Sequence, residues 1–191
     1  MLGPDHPYTA TALSNVAGLL QDQGEFVRSR ALYERALTIV EKALGPEHPD
    51  TARGFTKFGD LLYAQGDFVG ARPLLQRALA IREKALGPDH PDTATSLNNL
   101  ASLLHAQGDP AGARPLLERA LAIREKVLGP EHVHTATSLN NLASLVHAQG
   151  DPAGALPLYE RALPIYEKVL GHEHPNTDRV RAAVLHARRR E

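Results

Sequence analysis

The sequence predicts an all-α fold, an α-solenoid of antiparallel helix hairpins, and three observations lead to this prediction. The phrase Leu-Gly-Pro-Asp/Glu-His-Pro recurs every 42 residues, with changes in its last two copies. A lone glycine recurs at the same spacing in the middle of each unit. Between these breaks, apolar residues recur at spacings of three and four, which is typical of one face of a helix, and no stretch alternates as a strand does.

The third unit shows how each element arises. Its first segment, from about 91 to 107, is followed by Gly108, at a point where a helix end favours a residue that tolerates left-handed dihedral angles. Asp109 and Pro110 then suit the N-cap and the first position of a second helix. That helix extends to about 127, where Leu-Gly-Pro ends it. The first segment carries four apolar residues at helical spacing: Leu97, Leu100, Ala101 and Leu104.

The period also sets the expected domain organisation. A single hairpin cannot bury both of its apolar faces, so similar hairpins are expected to stack on one another. The repeats are predicted at 1–43, 44–85, 86–127 and 128–169. Residues 170–191 are predicted to form a C-terminal capping helix, a first helix without its partner that ends in Arg188-Arg189-Arg190-Glu191.

The start of the chain carries a separate expectation. The sequence begins at a repeat boundary with no helix before it. The first repeat is therefore expected to lack a cap on that side. It could then meet a partner, a second copy in a homo-oligomer, or a neighbouring repeat of a longer chain.

Composition narrows the function classes. The chain has 191 residues, a net charge of −1 and no cysteine, which excludes disulfides and cysteine metal sites. The balanced charge gives no field to attract nucleic acid or a membrane surface. No apolar run approaches the roughly 20 residues that span a bilayer. The first residues, Met-Leu-Gly-Pro-Asp-His, have neither the basic nor the apolar region of a signal peptide, so none is expected. A cytoplasmic protein that binds neither nucleic acid nor membrane is expected.

Small residues at fixed positions connect the chain to a known family. In the third unit a large–small–small–small set is formed by Leu97, Ala101, Ala113 and Ala120. The matching sets are Leu13, Ala17, Ser29 and Ala36; Phe55, Gly59, Ala71 and Ala78; and Leu139, Ala143, Ala155 and Ala162. This pattern resembles the tetratricopeptide repeat, whose ordinary length is about 34 residues.

The longer period refines the resemblance. With the phrase Leu-Asn-Asn-Leu-Ala at 97–101 and 139–143, the 42-residue unit resembles the kinesin light chain type of repeat, which also occurs in bacterial regulators. The resemblance implies a right-handed superhelix of hairpins and a protein-interaction scaffold that binds a protein or peptide ligand. A fold alone does not name that ligand.

The resemblance also implies a binding groove lined by the first helices. There, asparagine amides hold an extended peptide through its backbone, because an amide offers both a donor and an acceptor. The matching positions are Asn15, Asn99 and Asn141, with Lys57 at the same place in the second repeat. Other residues predicted on this face are Ser14, Arg53, Thr56, Thr95, Asn98, Ser102, His105, Thr137, Asn140, Ser144 and His147. The basic Arg53, Lys57 and Arg179 would suit a peptide with an acidic residue toward one end.

Two alternatives stay open for these residues. They could be ordinary exposed polar side chains, although asparagine is a mediocre helix former and an idle surface would more readily use Glu, Lys or Ala. The chain could also be a structural or self-assembling spacer of a larger repeat protein, without a dedicated ligand.

No enzyme or metal site is predicted. The sequence lacks a phosphate-binding glycine loop, a nucleophile elbow and an H-E-x-x-H motif, so no catalytic residue and no cofactor is expected. His132 and His134, like His172 and His174, form H-x-H pairs, but a metal needs at least three converging ligands. Because one histidine recurs in every connector, we expect it to serve the turn before each first helix through a local hydrogen bond.

Overall fold

A computed structural model describes residues 3–189, and these residues form helices without any strand. Arg190 and Glu191, which end the predicted cap, and Leu2, which begins the first Leu-Gly-Pro phrase, lie outside the described residues. The helices are α1 (Pro7–Asp22), α2 (Phe26–Leu44), α3 (Pro49–Ala64), α4 (Phe68–Leu86), α5 (Pro91–Ala106), α6 (Pro110–Leu128), α7 (Val133–Ala148), α8 (Pro152–Leu170) and α9 (Pro175–Arg188). None of these helices is both long and apolar enough to cross a bilayer.

The helices group into two compact units. Unit 1 is Met1–Pro88 and contains the hairpins α1–α2 and α3–α4. Unit 2 is Asp89–Glu191 and contains the hairpins α5–α6 and α7–α8, followed by α9. Within each unit, every helix packs on the next one along the chain, and the short connectors make the two helices of a hairpin antiparallel. The predicted all-α hairpin stack is confirmed.

The breaks between helices occur where glycines were expected. Gly108 follows α5 with a φ of 80°, and Gly129 follows α6 with a φ of 91°. Positive φ is readily adopted only by a residue without a Cβ, so these glycines end the helices. Asp109 then caps α6, since its side chain accepts a hydrogen bond from the Gly112 N–H at 2.8 Å. The predicted bounds of both helices agree with the structure to within one residue.

The repeated connector histidine has the predicted structural role. The Nδ1 atom of His132 accepts a hydrogen bond from the backbone N–H of His134 at 3.1 Å, and thereby caps α7. The same bond is made at α1, α3, α5 and α9 by His6, His48, His90 and His174. Each histidine thus satisfies one of the backbone donors that the first turn of a helix leaves unpaired.

Replacing His132 by Ala is expected to lower the free energy of unfolding by about 1 kcal/mol, because one N-terminal donor of α7 loses its acceptor. His132→Asn should retain most of the stability, since an asparagine oxygen can accept the same bond. Urea unfolding followed by circular dichroism measures both. Equal losses in the two variants would show that capping is not the role of this side chain.

The small residues lie where helices cross closely. Ala101, Ala113, Ala143 and Ala155 are all fully buried. In unit 1, Gly59 has Leu75 so near that an added Cβ would lie 2.8 Å from Cδ2 of that leucine. A larger side chain at these points would overpack the core.

Helix α9, the last described helix, carries charged side chains that pair with residues of α8. Arg181 stands at the position of Leu97, and its guanidinium donates to Glu167 at 2.9 Å and to Asp178 at 2.7 Å. Arg188 donates to Glu160 of α8 at 2.6 Å. Val180, Val184 and Ala187 bury the opposite face of α9 in the core. Helix α9 therefore has one apolar face in the core and one face with charged side chains, and its role as a cap stays a prediction.

Candidate functional site

The first-helix side of unit 1, formed by α1 and α3 with part of α2, contains a cavity of about 290 Å³. Four residues of the predicted groove line it: Ser14, which is half-buried, and Asn15, Arg53 and Lys57, which are exposed. Arg53 is paired with Asp50 at 3.0 Å. This pairing offsets part of the positive charge that the sequence suggested here. Thr56 is buried, and its hydroxyl donates to the carbonyl oxygen of Ala52 in the same helix at 2.9 Å. This predicted groove residue is therefore not exposed to a ligand.

A carboxyl group that the sequence reasoning missed stands beside these residues. Asp60 lies on α3 three residues after Lys57. Burial raises the pKa of its carboxyl group to about 6, although Lys57 and Arg82 act to lower it. Asp60 in turn helps raise the pKa of the buried Tyr33. Alignment of the repeats could have revealed Asp60, because it occupies the position of Ser102 and Ser144.

On the first-helix side of unit 2, formed by α5, α7 and α9, the buried side chain of Arg124 contacts two of the helices. The guanidinium of Arg124 donates to the His134 carbonyl oxygen at 2.9 Å, to the Ser138 hydroxyl at 3.0 Å and to the Thr95 hydroxyl at 3.2 Å. Burial lowers the pKa of Arg124, while Tyr166 acts in the opposite direction. No described carboxylate pairs with this guanidinium, so it links three helices through neutral acceptors and leaves net positive charge beneath the surface.

The asparagines of unit 2 are not equivalent. Asn98 is only 4% exposed. Its amide nitrogen donates to the Ala94 carbonyl oxygen and to the Ser138 hydroxyl, at 2.9 and 3.2 Å. Its Oδ1 accepts a hydrogen bond from Nδ2 of Asn141 at 3.1 Å. The buried Asn98 therefore orients the side chain of Asn141. The Oδ1 of Asn141 accepts no hydrogen bond from the described residues.

A polar cavity of about 220 Å³ opens between α7, α8 and α9. The side chains of Asn140 and Arg179, both in its lining, make no hydrogen bond or ion pair within residues 3–189. The hydroxyl of Tyr166 donates to Thr137 at 3.2 Å. Burial raises the pKa of this tyrosine, although the bond to Thr137 and the charges of Arg124 and Arg179 act to lower it. The full lining is Thr137, Asn140, Asn141, Tyr166, Asn176, Arg179 and Val180.

The remaining predicted residues lie on α1, α5 and α7. Ser144 is exposed and accepts a hydrogen bond from the Tyr159 hydroxyl at 3.2 Å. The ring of His147 lies 5.4 Å from the ring of His186, and its buried Nδ1 has no hydrogen-bond partner among the residues described. Ser14, Thr95 and Asn99 are half-buried, and Ser102 and His105 are exposed.

Among the described residues, no group of three His, Asp or Glu side chains could hold a metal ion. Amides, hydroxyls and the Arg179 guanidinium, which pairs with no carboxylate within residues 3–189, line the cavity of unit 2. They are a set of donors and acceptors suited to holding a polar ligand.

Stacked antiparallel helix hairpins with a fixed period define the chain as an α-solenoid repeat protein. A sequence profile of the tetratricopeptide repeat matches residues 8–84, 56–126, 97–168 and 135–184, and the chain belongs to this family. Such repeats generally mediate interactions between proteins. No curated protein sequence matches the chain significantly.

Solved structures place it near one type of these repeats. The crystal structure of the nearly identical TPR-like repeats of a predicted kinesin light chain from Podosopora anserina has a TM-score of 0.79 and 30% identity, over 95% of this chain and 86% of that one. A singly substituted variant of the same protein has a TM-score of 0.80. BtubC (BKLC) from P. vanneervenii has a TM-score of 0.83 at 23% identity, over 95% of this chain and 72% of that one, a likeness of fold alone. The predicted kinesin light chain-like type is confirmed.

Proposed function

We propose that the chain is a cytoplasmic, non-enzymatic interaction scaffold that binds an extended peptide segment of a partner protein on the first-helix sides of its units. The observation that carries this proposal is the cavity of unit 2, where Asn140, Asn141 and Arg179 keep polar groups that the described part of the protein does not itself use. An extended peptide presents alternating N–H and C=O groups, which can pair with the Asn140 amide and with the Asn141 amide oxygen.

Preorganisation supports the same proposal. Asn141 is fixed by its bond to Asn98, and Asn98 is fixed by Ala94 and Ser138. A side chain that is already oriented loses less conformational entropy on binding. Asn141 Oδ1 is therefore a prepared acceptor for a backbone N–H. The positive charges of Arg179 and Arg124, both of which act on Tyr166, favour an acidic residue in the ligand.

The alternative is a structural spacer without a ligand. The lack of a hydrogen bond or ion pair at Asn140 and Arg179 within residues 3–189 favours the binding proposal, because a purely structural surface gains nothing from placing such side chains around a cavity. The two proposals differ in one measurable respect, which is whether defined peptides bind the cavity.

Panning a phage library of random linear peptides on the full chain is expected to enrich acidic sequences. Synthetic copies of these should bind wild type measurably by fluorescence anisotropy. Asn141→Ala and Arg179→Ala are each expected to weaken binding about tenfold, equivalent to about 1.4 kcal/mol. Arg114→Ala, an exposed arginine of the second helix α6, is the matched control and should bind as wild type does.

The contrary results are specific. Failure to enrich any peptide, or equal affinity in wild type, Asn141→Ala and Arg179→Ala, would favour the spacer. Circular dichroism of each variant separates lost binding from lost structure, which matters for Asn141 because it also bonds Asn98.

A further inference from the structure

Buried arginines occupy the same repeat position in the two units, but their electrostatic surroundings differ. Arg82 of α4 and Arg124 of α6 stand one repeat apart, and both are buried. In unit 1, Arg82 acts to lower the pKa of the Asp60 carboxyl group, so the arginine has a carboxylate nearby. The position of Asp60 is occupied in the next repeat by the neutral Ser102. Unit 2 therefore lacks the counter-charge that unit 1 supplies from its own sequence.

The guanidinium of Arg124 donates to neutral oxygen atoms, which belong to His134, Ser138 and Thr95. Its Nε atom is buried and has no hydrogen-bond partner within residues 3–189. A buried cation without an opposite charge is costly, and a nearby anion would offset part of that cost. The charge of Arg124 therefore favours an anionic ligand on this side of unit 2.

A second cation on the same side is Arg179 of α9. The other arginines of this helix pair with carboxylates of α8. Arg181 donates to Glu167 at 2.9 Å, and Arg188 donates to Glu160 at 2.6 Å. Arg179 is exposed, lines the cavity of about 220 Å³ and pairs with no carboxylate among the residues described. Its charge is therefore available to a ligand.

Both cations act on this cavity. Arg124 and Arg179 each act to lower the pKa of Tyr166, which is one of the lining residues, so both charges lie close to that wall. None of the described lining residues is acidic. Asn140 and Asn176, also in the lining, add amide nitrogens that can donate hydrogen bonds. Two cations and neutral donors around a small cavity are complementary to an anion that carries two charges.

We propose that this cavity receives the phosphoryl group of a phosphoserine or phosphothreonine in the bound peptide. This inference rests on the function proposed above and names the acidic group of its ligand. A phosphorylated side chain carries a charge of about −1.5 to −2 at neutral pH, whereas a carboxylate carries a single negative charge. Its oxygens can accept a bidentate pair of hydrogen bonds from the Arg179 guanidinium and further bonds from the Asn140 and Asn176 amides. A phosphotyrosine fits less well, because its ring favours apolar walls and Val180 is the single aliphatic residue in the described lining.

Peptides that differ in one residue test the charge of the ligand on the full chain. Three labelled peptide sets have the same random flanking residues and a fixed central residue, which is Ser, Glu or phosphoserine. By fluorescence anisotropy, wild type is expected to bind the phosphoserine set about tenfold more tightly than the Glu set. Arg179→Gln keeps hydrogen-bond donors but loses the charge, and should reduce this preference to less than about threefold. Arg114→Ala, on the second helix α6, is the control and should keep the wild-type preference.

A charge transferred from unit 1 tests the role of Arg124 without removing that buried side chain. Ser102→Asp places a carboxylate at the repeat position that Asp60 occupies in unit 1. It should also reduce the preference for phosphoserine over Glu to less than about threefold, because Arg124 then has a counter-charge within the protein. Ser102→Asn, which is similar in size to the aspartate and neutral, is the matched control and should keep the wild-type preference. Circular dichroism shows whether each variant keeps its helices.

The results that would overturn the inference are distinct from those that bear on the proposed function. Equal affinity of wild type for the phosphoserine and Glu sets would overturn the inference, while peptide binding itself would stand. The inference would also fail if either Arg179→Gln or Ser102→Asp kept the full preference, or if inorganic phosphate bound as tightly as the phosphoserine set. Absence of binding to all three sets would contradict the proposed function and the inference together.

Discussion

Replacing Leu145 by Ala is expected to lower the free energy of unfolding of unit 2 by about 3 kcal/mol. Leu145 lies on α7 in the core of this unit and is almost completely buried. The loss combines the transfer free energy of the removed carbons with the cost of the cavity they leave, because a close-packed core relaxes only in part. Urea unfolding monitored by circular dichroism measures the change.

The matched control is Leu185→Ala on α9, in the same unit. Leu185 is exposed, so its truncation should change stability by less than about 0.5 kcal/mol. Hydrogen exchange should show lost protection in unit 2 in the Leu145 variant, since each repeat is stabilised mainly by its neighbours. Similar losses for the two leucines would contradict the packing described for α7.

Replacing Asp60 by Asn is expected to raise the free energy of unfolding at pH 7.5 by about 2 kcal/mol. Burial raises the pKa of this carboxyl group to about 6 in the folded protein, from an ordinary value of 3.8. When folding raises the pKa of a carboxyl group, the folded protein is more stable with that group protonated than with it ionised. Its destabilising effect is therefore absent below about pH 4, grows as the pH rises to about 6, and is constant above that.

Urea unfolding across pH 4 to 8 separates Asp60 from other titrating groups. Wild type should lose stability between about pH 4 and pH 6 relative to Asp60→Asn. Asp22→Asn, a change at an exposed carboxylate of the same unit, is the control and should leave the difference between pH 4 and pH 8 close to that of wild type. A constant gap between wild type and Asp60→Asn at all pH values would mean that Asp60 does not titrate as described.

The local architecture could be predicted closely from the residues. The positive φ of Gly108, the cap at Asp109 and the histidine bond at His132 all depend on atoms within a few residues along the chain. Such interactions repeat wherever the sequence repeats, so one unit predicts the others. The burial of the alanines follows in the same way, because close helix crossings recur with the same period.

The candidate site was predictable only in part. The sequence placed Asn98, Asn99, Asn140 and Asn141 on one face, although Asn98 and Asn140, which share one repeat position, differ in the structure. Asn98 is buried and donates to Ser138 of the following first helix, α7, whereas the side chain of Asn140 makes no hydrogen bond within residues 3–189. Asp60 escaped notice because a single aspartate on a helix is usually solvated. Its pKa is raised by the burial that its surroundings impose, and composition does not reveal that.

By itself, the sequence determined the family, the positions of the helix breaks and the caps, since periodicity and backbone hydrogen bonding are local and repeated. Only the tertiary structure decided which polar side chains form hydrogen bonds within the protein and which can still bond a ligand. Arg124 of α6 shows the reason, because its three acceptors come from the two neighbouring helices α5 and α7. The availability of a group depends on what neighbouring helices bring to it, and that is set by packing.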